Sequence, residues 1–435
     1  MLKKSLASIA DQMLLSALNL GVALALIRFA DKTAYGLYLQ WFGVVMLAYS
    51  LLDAAVGATL VTQFNRYTAP GERASAVGAY TRLAARTCIA VIALSALGWW
   101  MFMAPQAPSP ATPSAMGIEW LALPAAAAYV GSYAWREFKR GTGHLLQQPF
   151  AVLYMDITYS SIVVVCLAAL IALSTLSLTT TLTALALANA AAASLWIRTP
   201  QATSISPPPN TPARTTRVVT ANWVTVWSTS RWAMGGASLA WVSNHAFLYV
   251  SAALLGLATT ADVGAARLFL MPLSLITLGW KNVARADIGD LLQHPDHNQA
   301  RRYVNRSLLM VSGFGALYLL ALWVGYDFVA AHFLPSTYQN LGPLIAAWSV
   351  YFVVYNVRNV GSVLLAAMGH FKPLFKLDVA GLLVQAIGIV FLVPQMGAMG
   401  LILSLAACEC VLVVWVWGGL VPRLLFTRKT TCPSS

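Results

Sequence analysis

Apolar runs of bilayer length recur from one end of this chain to the other, and nothing between them is large enough to fold on its own. They fall at about 13–30, 38–61, 83–103, 118–135, 150–173, 178–197, 232–256, 263–280, 308–330, 341–366, 377–393 and 398–420. A spanning helix needs roughly 20 apolar residues. Twelve such helices therefore occupy about 250 residues of the 435 and leave only short connections. Charged residues make up 9% of the chain, against about 25% in a soluble domain. That is too few to cover a water-facing surface, so the expected fold class is an all-α polytopic membrane protein of about 12 transmembrane helices.

The net charge of +13 would point to nucleic acid in a soluble protein. Here the cations sit between apolar runs and carry topology instead, and no nucleic-acid partner is expected. With the N-terminus placed in the cytoplasm, nearly all of the 27 Lys and Arg residues fall in cytoplasmic loops or at cytoplasmic helix ends, Lys3, Lys4, Arg136, Arg140, Lys281 and Lys376 among them. Arg28, Lys32 and Arg267 fall on the outer side, and Arg358 inside a span. The bias supports both the helix count and cytoplasmic termini. The start Met1-Leu2-Lys3-Lys4 resembles a signal peptide, but Asp11, Gln12 and Asn19 interrupt the following run, so an uncleaved first helix is expected. The five cysteines show no metal-like spacing, and no disulfide framework is expected.

Segment 199–217 (TPQATSISPPPNTPARTTR) is rich in Pro, Ser and Thr and cannot pack a core. It divides the chain into an N-terminal six-helix lobe over 1–198, a cytoplasmic linker over 199–220, a C-terminal six-helix lobe over 221–425 and a tail over 426–435. An even number of spans per half gives both halves one orientation, with any repeat axis along the membrane normal. Weak internal echoes support a repeat. Segments 31–43 (DKTAYGLYLQWFG) and 262–274 (DVGAARLFLMPLS) each place an Asp before a turn that opens an apolar helix. The order Arg, Gly-His, Pro, Asp recurs at Arg136, Gly143-His144, Pro149, Asp156 and at Arg358, Gly369-His370, Pro373, Asp378, with different inner spacings.

No Walker-type phosphate loop, HExxH or GxSxG motif is present, so neither a catalytic nor a metal site is expected. His294-Pro295-Asp296-His297 is expected to be a solvated turn. The informative residues are ionisable groups at membrane depth, which normally face a protein interior or a water-filled cavity. Glu409 and Arg358 lie deep in their spans, His245 near the middle of another, Asp53 a third of the way up and Arg267 one turn in. Plainer roles compete. Asp156 and Asp378 follow a Pro near a helix start, where a carboxylate complements the helix dipole; Arg28 suits an interfacial anchor; His245 suits a packing residue.

Stretch 24–66 (LALIRFADKTAYGLYLQWFGVVMLAYSLLDAAVGATLVTQFNR) resembles the first helical hairpin of bacterial lipid-linked oligosaccharide flippases, the polysaccharide exporters of the multidrug/oligosaccharidyl-lipid/polysaccharide superfamily. The matching features are the basic Arg28 ending span one, Tyr35-Gly36 opening span two, and Asp53 with Gly57. Segment 255–269 (LLGLATTADVGAARL) is similar to the family's matching turn in the second half, and Arg136 to Gly143-His144 to its end of span four. Thr33-Ala34 replaces the family's acidic or proline residues before Tyr35, and its turn Gly after span one is missing.

The resemblance implies two lobes around a central cleft that alternates between the two sides of the bacterial inner membrane. The cargo would be an undecaprenyl-diphosphate-linked glycan of an O-antigen, capsule or exopolysaccharide. Membrane lipids, a polysaccharide polymerase and a chain-length regulator would be the other partners. Arg suits diphosphate, which makes Arg28, Arg267 and Arg358, with His245, the candidate cationic cleft. Glu409, Asp53, Asp156 and Asp378 are the candidate ion-coupling or gating residues, for Na+ or H+, with no other cofactor. Two alternatives stand beside this: a multidrug/cation antiporter of the same superfamily, with an acidic cleft, and a membrane-embedded polysaccharide polymerase, against which the short outer loops argue.

Overall fold

The computed structural model describes residues 2–67, 69–103, 122–195, 221–274, 297–338, 341–368 and 370–422, with isolated positions between 277 and 288. The expected linker over 199–220, the loop over 104–117, residues 294–296 of the histidine turn and the tail over 426–435 lie outside them.

Among the described residues the protein is built from helices. The first half contains α1 (Leu2–Phe29), α2 (Lys32–Leu52), a π-helical turn (Asp53–Gly57), α3 (Ala58–Arg66), α4 (Pro70–Met103), α5 (Ala122–Leu145), α6 (Pro149–Ala172) and α7 (Leu178–Leu195). Then come α8 (Trp223–Leu255), α9 (Leu257–Leu268), α10 (His297–Phe333), α11 (Gly342–Ala367) and α12 (Phe371–Val413), which ends in a second π-helical turn (Val414–Leu420). Eight of these stretches are long and apolar enough to cross a membrane. The longest, Lys372–Leu420, carries two of the spans read from the sequence, because α12 is broken where Pro394 removes a backbone donor and Gly397 takes φ 56°. The spans expected at 118–135 and 341–366 fall on α5 and α11.

One turn sits elsewhere than the sequence echo places it. The chain turns at Gly256, φ 87°, and Asp262 lies inside α9 rather than ahead of it. Only glycine adopts this conformation cheaply, so it outranks the Asp-led pattern seen at Asp31.

Contacts divide the chain into two units, Met1–Val242 and Ser243–Ser435, with the boundary inside α8. In the first unit, α5 packs against α2, α4 and α7, and α6 against α1 and α7. Its core includes Leu52, Val56, Val77, Tyr80, Phe138 and Val226. Close approach is built in at Gly131, where a Cβ would fall 2.3 Å from Ile92 Cγ1. In the second unit, α11 packs against α9, α10 and α12, over a core of Ile288, Val311, Leu364, Leu377 and Val416. Large apolar side chains such as Ile89, Val165, Leu309 and Val324 stand exposed at 66%, 68%, 75% and 80%. On helices of this length, such a surface is matched by lipid.

Candidate functional site

In the first unit, a network of charges is buried where α1, α5 and α6 meet. Arg136 and Glu137 lie at 2% and 8% exposure and Asp156 is fully buried. Arg136 Nη2 donates to Glu137 Oε1 at 2.7 Å, and its Nη1 lies 3.5 Å from Asp156 Oδ1. Arg140, one turn further along α5, ties three acids together. Its Nε donates to Asp156 Oδ2 at 2.8 Å, Nη1 to Glu137 Oε2 at 3.2 Å, and Nη2 to Asp11 Oδ2. Gln12 Oε1 also accepts from Nη2, at 3.3 Å. Arg140 thus brings the carboxyl groups of Asp11 and Asp156 to one guanidinium. The Arg136 guanidinium stacks over the Tyr159 ring at 3.8 Å and the Tyr133 ring at 5.5 Å. Two cations thus face three carboxylates, so an arrangement that is costly to bury holds through mutual pairing.

The second unit repeats the theme with fewer charges. On α11, Arg358 makes a two-pronged pair with Glu409 of α12, Nε to Oε2 at 2.5 Å and Nη2 to Oε1 at 3.2 Å. Its guanidinium lies 5.4 Å from the Tyr355 ring. The pair opens on a small pocket lined also by Ser243, Tyr351, Asp378, Gln385 and Cys408. Gln385 is 5% exposed.

The two sites correspond. Tyr129, Tyr133, Arg136 and Asp156 stand at the same mutual spacings as Tyr351, Tyr355, Arg358 and Asp378, each pair 222 positions apart. The rings are neighbours in both, Tyr129 and Tyr133 edge-on with centroids 6.0 Å apart and Tyr351 and Tyr355 stacked at 5.6 Å. The signal was in the sequence: the i, i+4, i+7 spacing puts Tyr, Tyr and Arg on one helix face. The Arg-to-Asp echo captured only its two ends and took Arg136 and Arg140 for an ordinary basic helix end.

The other expected residues are placed as follows. Arg267, on α9, lies against the faces of Phe247 and Trp348, 5.2 and 5.5 Å from their centroids, and Trp348 Nε1 donates to Val263 O at 3.1 Å. A guanidinium against two ring faces is a cation–π arrangement. His245 is half-buried on α8, two residues before Phe247. Arg28 is exposed in the last turn of α1. Asp53 opens the first π-helical turn with its side chain folded toward Gly57, where a Cβ would sit 2.5 Å from Asp53 Oδ1. The structure therefore joins Arg358, Glu409 and Asp378 in one site and sets Asp156 in its counterpart. Among the described residues no three His, Cys, Asp or Glu side chains group as metal ligands.

No family model and no curated protein matches the sequence. Solved structures match its fold. One is an inward-facing conformation of a multidrug resistance MATE family transporter of the MOP superfamily, with TM-score 0.75 and 13% identity, covering 95% of each chain. A second is the lipid II flippase MurJ in an inward closed conformation, with TM-score 0.72 and 10% identity, covering 96% of this chain and 87% of that one. A third is a MOP superfamily transporter from Pyrococcus furiosus whose binding pocket is described as of reverse polarity, suggesting a different function. Its TM-score is 0.64 at 12% identity, covering 96% and 94%.

Proposed function

We propose that this chain, which has the fold of MOP-superfamily transporters, flips an undecaprenyl-diphosphate-linked oligosaccharide across the bacterial inner membrane by alternating access. Its two six-helix lobes, joined by the 199–220 linker, would flank the cleft, with both termini in the cytoplasm. The observation that carries this reading is Arg267, a guanidinium at membrane depth laid against Phe247 and Trp348. Rings of this kind hold a cation in place, and Arg offers a fork of donors matched to phosphate oxygens. The fold is shared with a structure named as a lipid II flippase, which supports a lipid-linked cargo. Arg28 and His245 would extend the cationic surface. Arg358 would contribute its charge only in part, because Glu409 holds it. Proton or sodium coupling would fall to Glu409, Asp378, Asp156 and Asp53.

The excess of carboxylates at both Arg sites supports a second reading, a cation antiporter like the MATE transporter of the same fold. Arg267 separates the two. Arg267→Ala should abolish export of the glycan in cells with normal protein level, and Arg267→Lys should impair it. Full export in Arg267→Ala would remove the diphosphate reading of this residue.

A further inference from the structure

Among the described residues Asp378 is the carboxylate of the second site without a partner. It is half-buried, lines the pocket beside Arg358, lies within electrostatic range of it, and makes no hydrogen bond or ion pair with the described residues. Gln385, two turns further along α12 and 95% buried, also makes no hydrogen bond with the described residues while facing the same pocket. Arg358 uses Nε and Nη2 on Glu409, which leaves Nη1 for another acceptor. In the first unit the corresponding pair has come together, with Arg136 Nη1 3.5 Å from Asp156 Oδ1. The same Tyr, Tyr, Arg and Asp at the same spacings thus occur with the Arg–Asp contact made in one unit and unmade in the other.

We infer that Arg358 is a two-position latch that exchanges its carboxylate partner between Glu409 and Asp378, the Arg136–Asp156 contact being the template for the second position. The two partners lie on opposite sides of the break in α12. Asp378 belongs to the part before Pro394 and Gly397, and Glu409 to the part after. The exchange therefore moves the tie between α11 and α12 from one half of the broken helix to the other. Guanidinium needs only one carboxylate to offset its burial, so either position satisfies Arg358. The surrounding groups are Tyr351 and Tyr355 on α11, Cys408 on α12, whose Sγ donates to Gly381 O at 3.1 Å, and Ser243 on α8. None of these replaces a carboxylate as partner to Arg358.

The test is a double-mutant cycle on the full-length protein in lipid nanodiscs, read by thermal unfolding, which needs no transport assay and so stands apart from the choice of substrate. Glu409→Gln and Asp378→Asn should each melt within a few degrees of wild type, since the remaining carboxylate takes the guanidinium. The double variant, with no acid left, should lose clearly more than the two single shifts combined. Additive shifts, or a Glu409→Gln loss equal to that of the double variant, would overturn the latch. Should the double variant not accumulate, nitrogen NMR of the Arg358 side chain in Glu409→Gln alone decides the matter. A guanidinium still bonded to carboxylate through any of its nitrogens supports the exchange, and one with solvent-like signals throughout refutes it.

Discussion

Replacing Arg140 with Met keeps an unbranched apolar stem and removes the group that, among the described residues, ties α1, α5 and α6 together by charge. In the native arrangement that guanidinium serves Asp11, Glu137 and Asp156 at once. Without it, Glu137 and Asp156 keep Arg136, at 2.7 and 3.5 Å, whereas Asp11, at 1% exposure, loses its guanidinium. Removing one partner of a buried ion pair costs about 3–5 kcal/mol, mostly from the stranded charge. For a unit of the size of Met1–Val242, each kcal/mol lowers the melting temperature by about 2–4 °C. Arg140→Met should therefore melt roughly 6–20 °C below wild type. Since the loss is a stranded carboxylate, Asp11→Asn added to Arg140→Met should restore much of it. Thermal unfolding in nanodiscs, followed by intrinsic fluorescence, measures both. A single variant melting within about 2 °C of wild type would refute the reasoning, and so would a double variant melting lower than the single.

Gly388 lies where a Cβ would fall 2.8 Å from Ser404 Cβ across the break in α12, so Gly388→Val should cost about 1–3 kcal/mol by overpacking; adding Ser404→Gly should recover stability, and a shared deficit would place the damage elsewhere. Asp31 caps α2 by accepting from Thr33 N at 3.0 Å, and Asp31→Ala should cost about 1 kcal/mol. The Thr33 hydrogen bond holds the Asp31 carboxyl below its usual value. Its contribution is therefore full above the unfolded pKa and fades as the pH falls through the folded one, and unfolding of the two proteins should converge in acid. Single cysteines at Ser206 and Ser109 on a Cys-free background test the orientation: an impermeant reagent added to intact cells should label Ser109 and spare Ser206.

Helix positions were legible because a bilayer demands long apolar runs, and the gap read between the spans ending at 393 and starting at 398 is where Pro394 and Gly397 break α12. The turn at Gly256 was not legible, since an Asp-led pattern six residues later competed with it. At the candidate site, the need to satisfy intramembrane charge singled out Arg358, Glu409, Asp156 and Asp378. The partners escaped for two reasons. Asp11 and Arg140 are 129 positions apart, a pairing that no local pattern encodes. Arg136 and Arg140 sit at a basic helix end, where the charge bias that sets topology is indistinguishable from a buried network.

The central claim is tested most directly by the purified protein in liposomes that carry a fluorescent oligosaccharide on a polyprenyl diphosphate in one leaflet. The account predicts protein-dependent movement of that lipid to the other leaflet, lost in Arg267→Ala while the variant remains folded. Failure of the wild-type protein to move the lipid, together with exchange of an organic cation against protons by the same preparation, would contradict the account and establish the antiporter in its place.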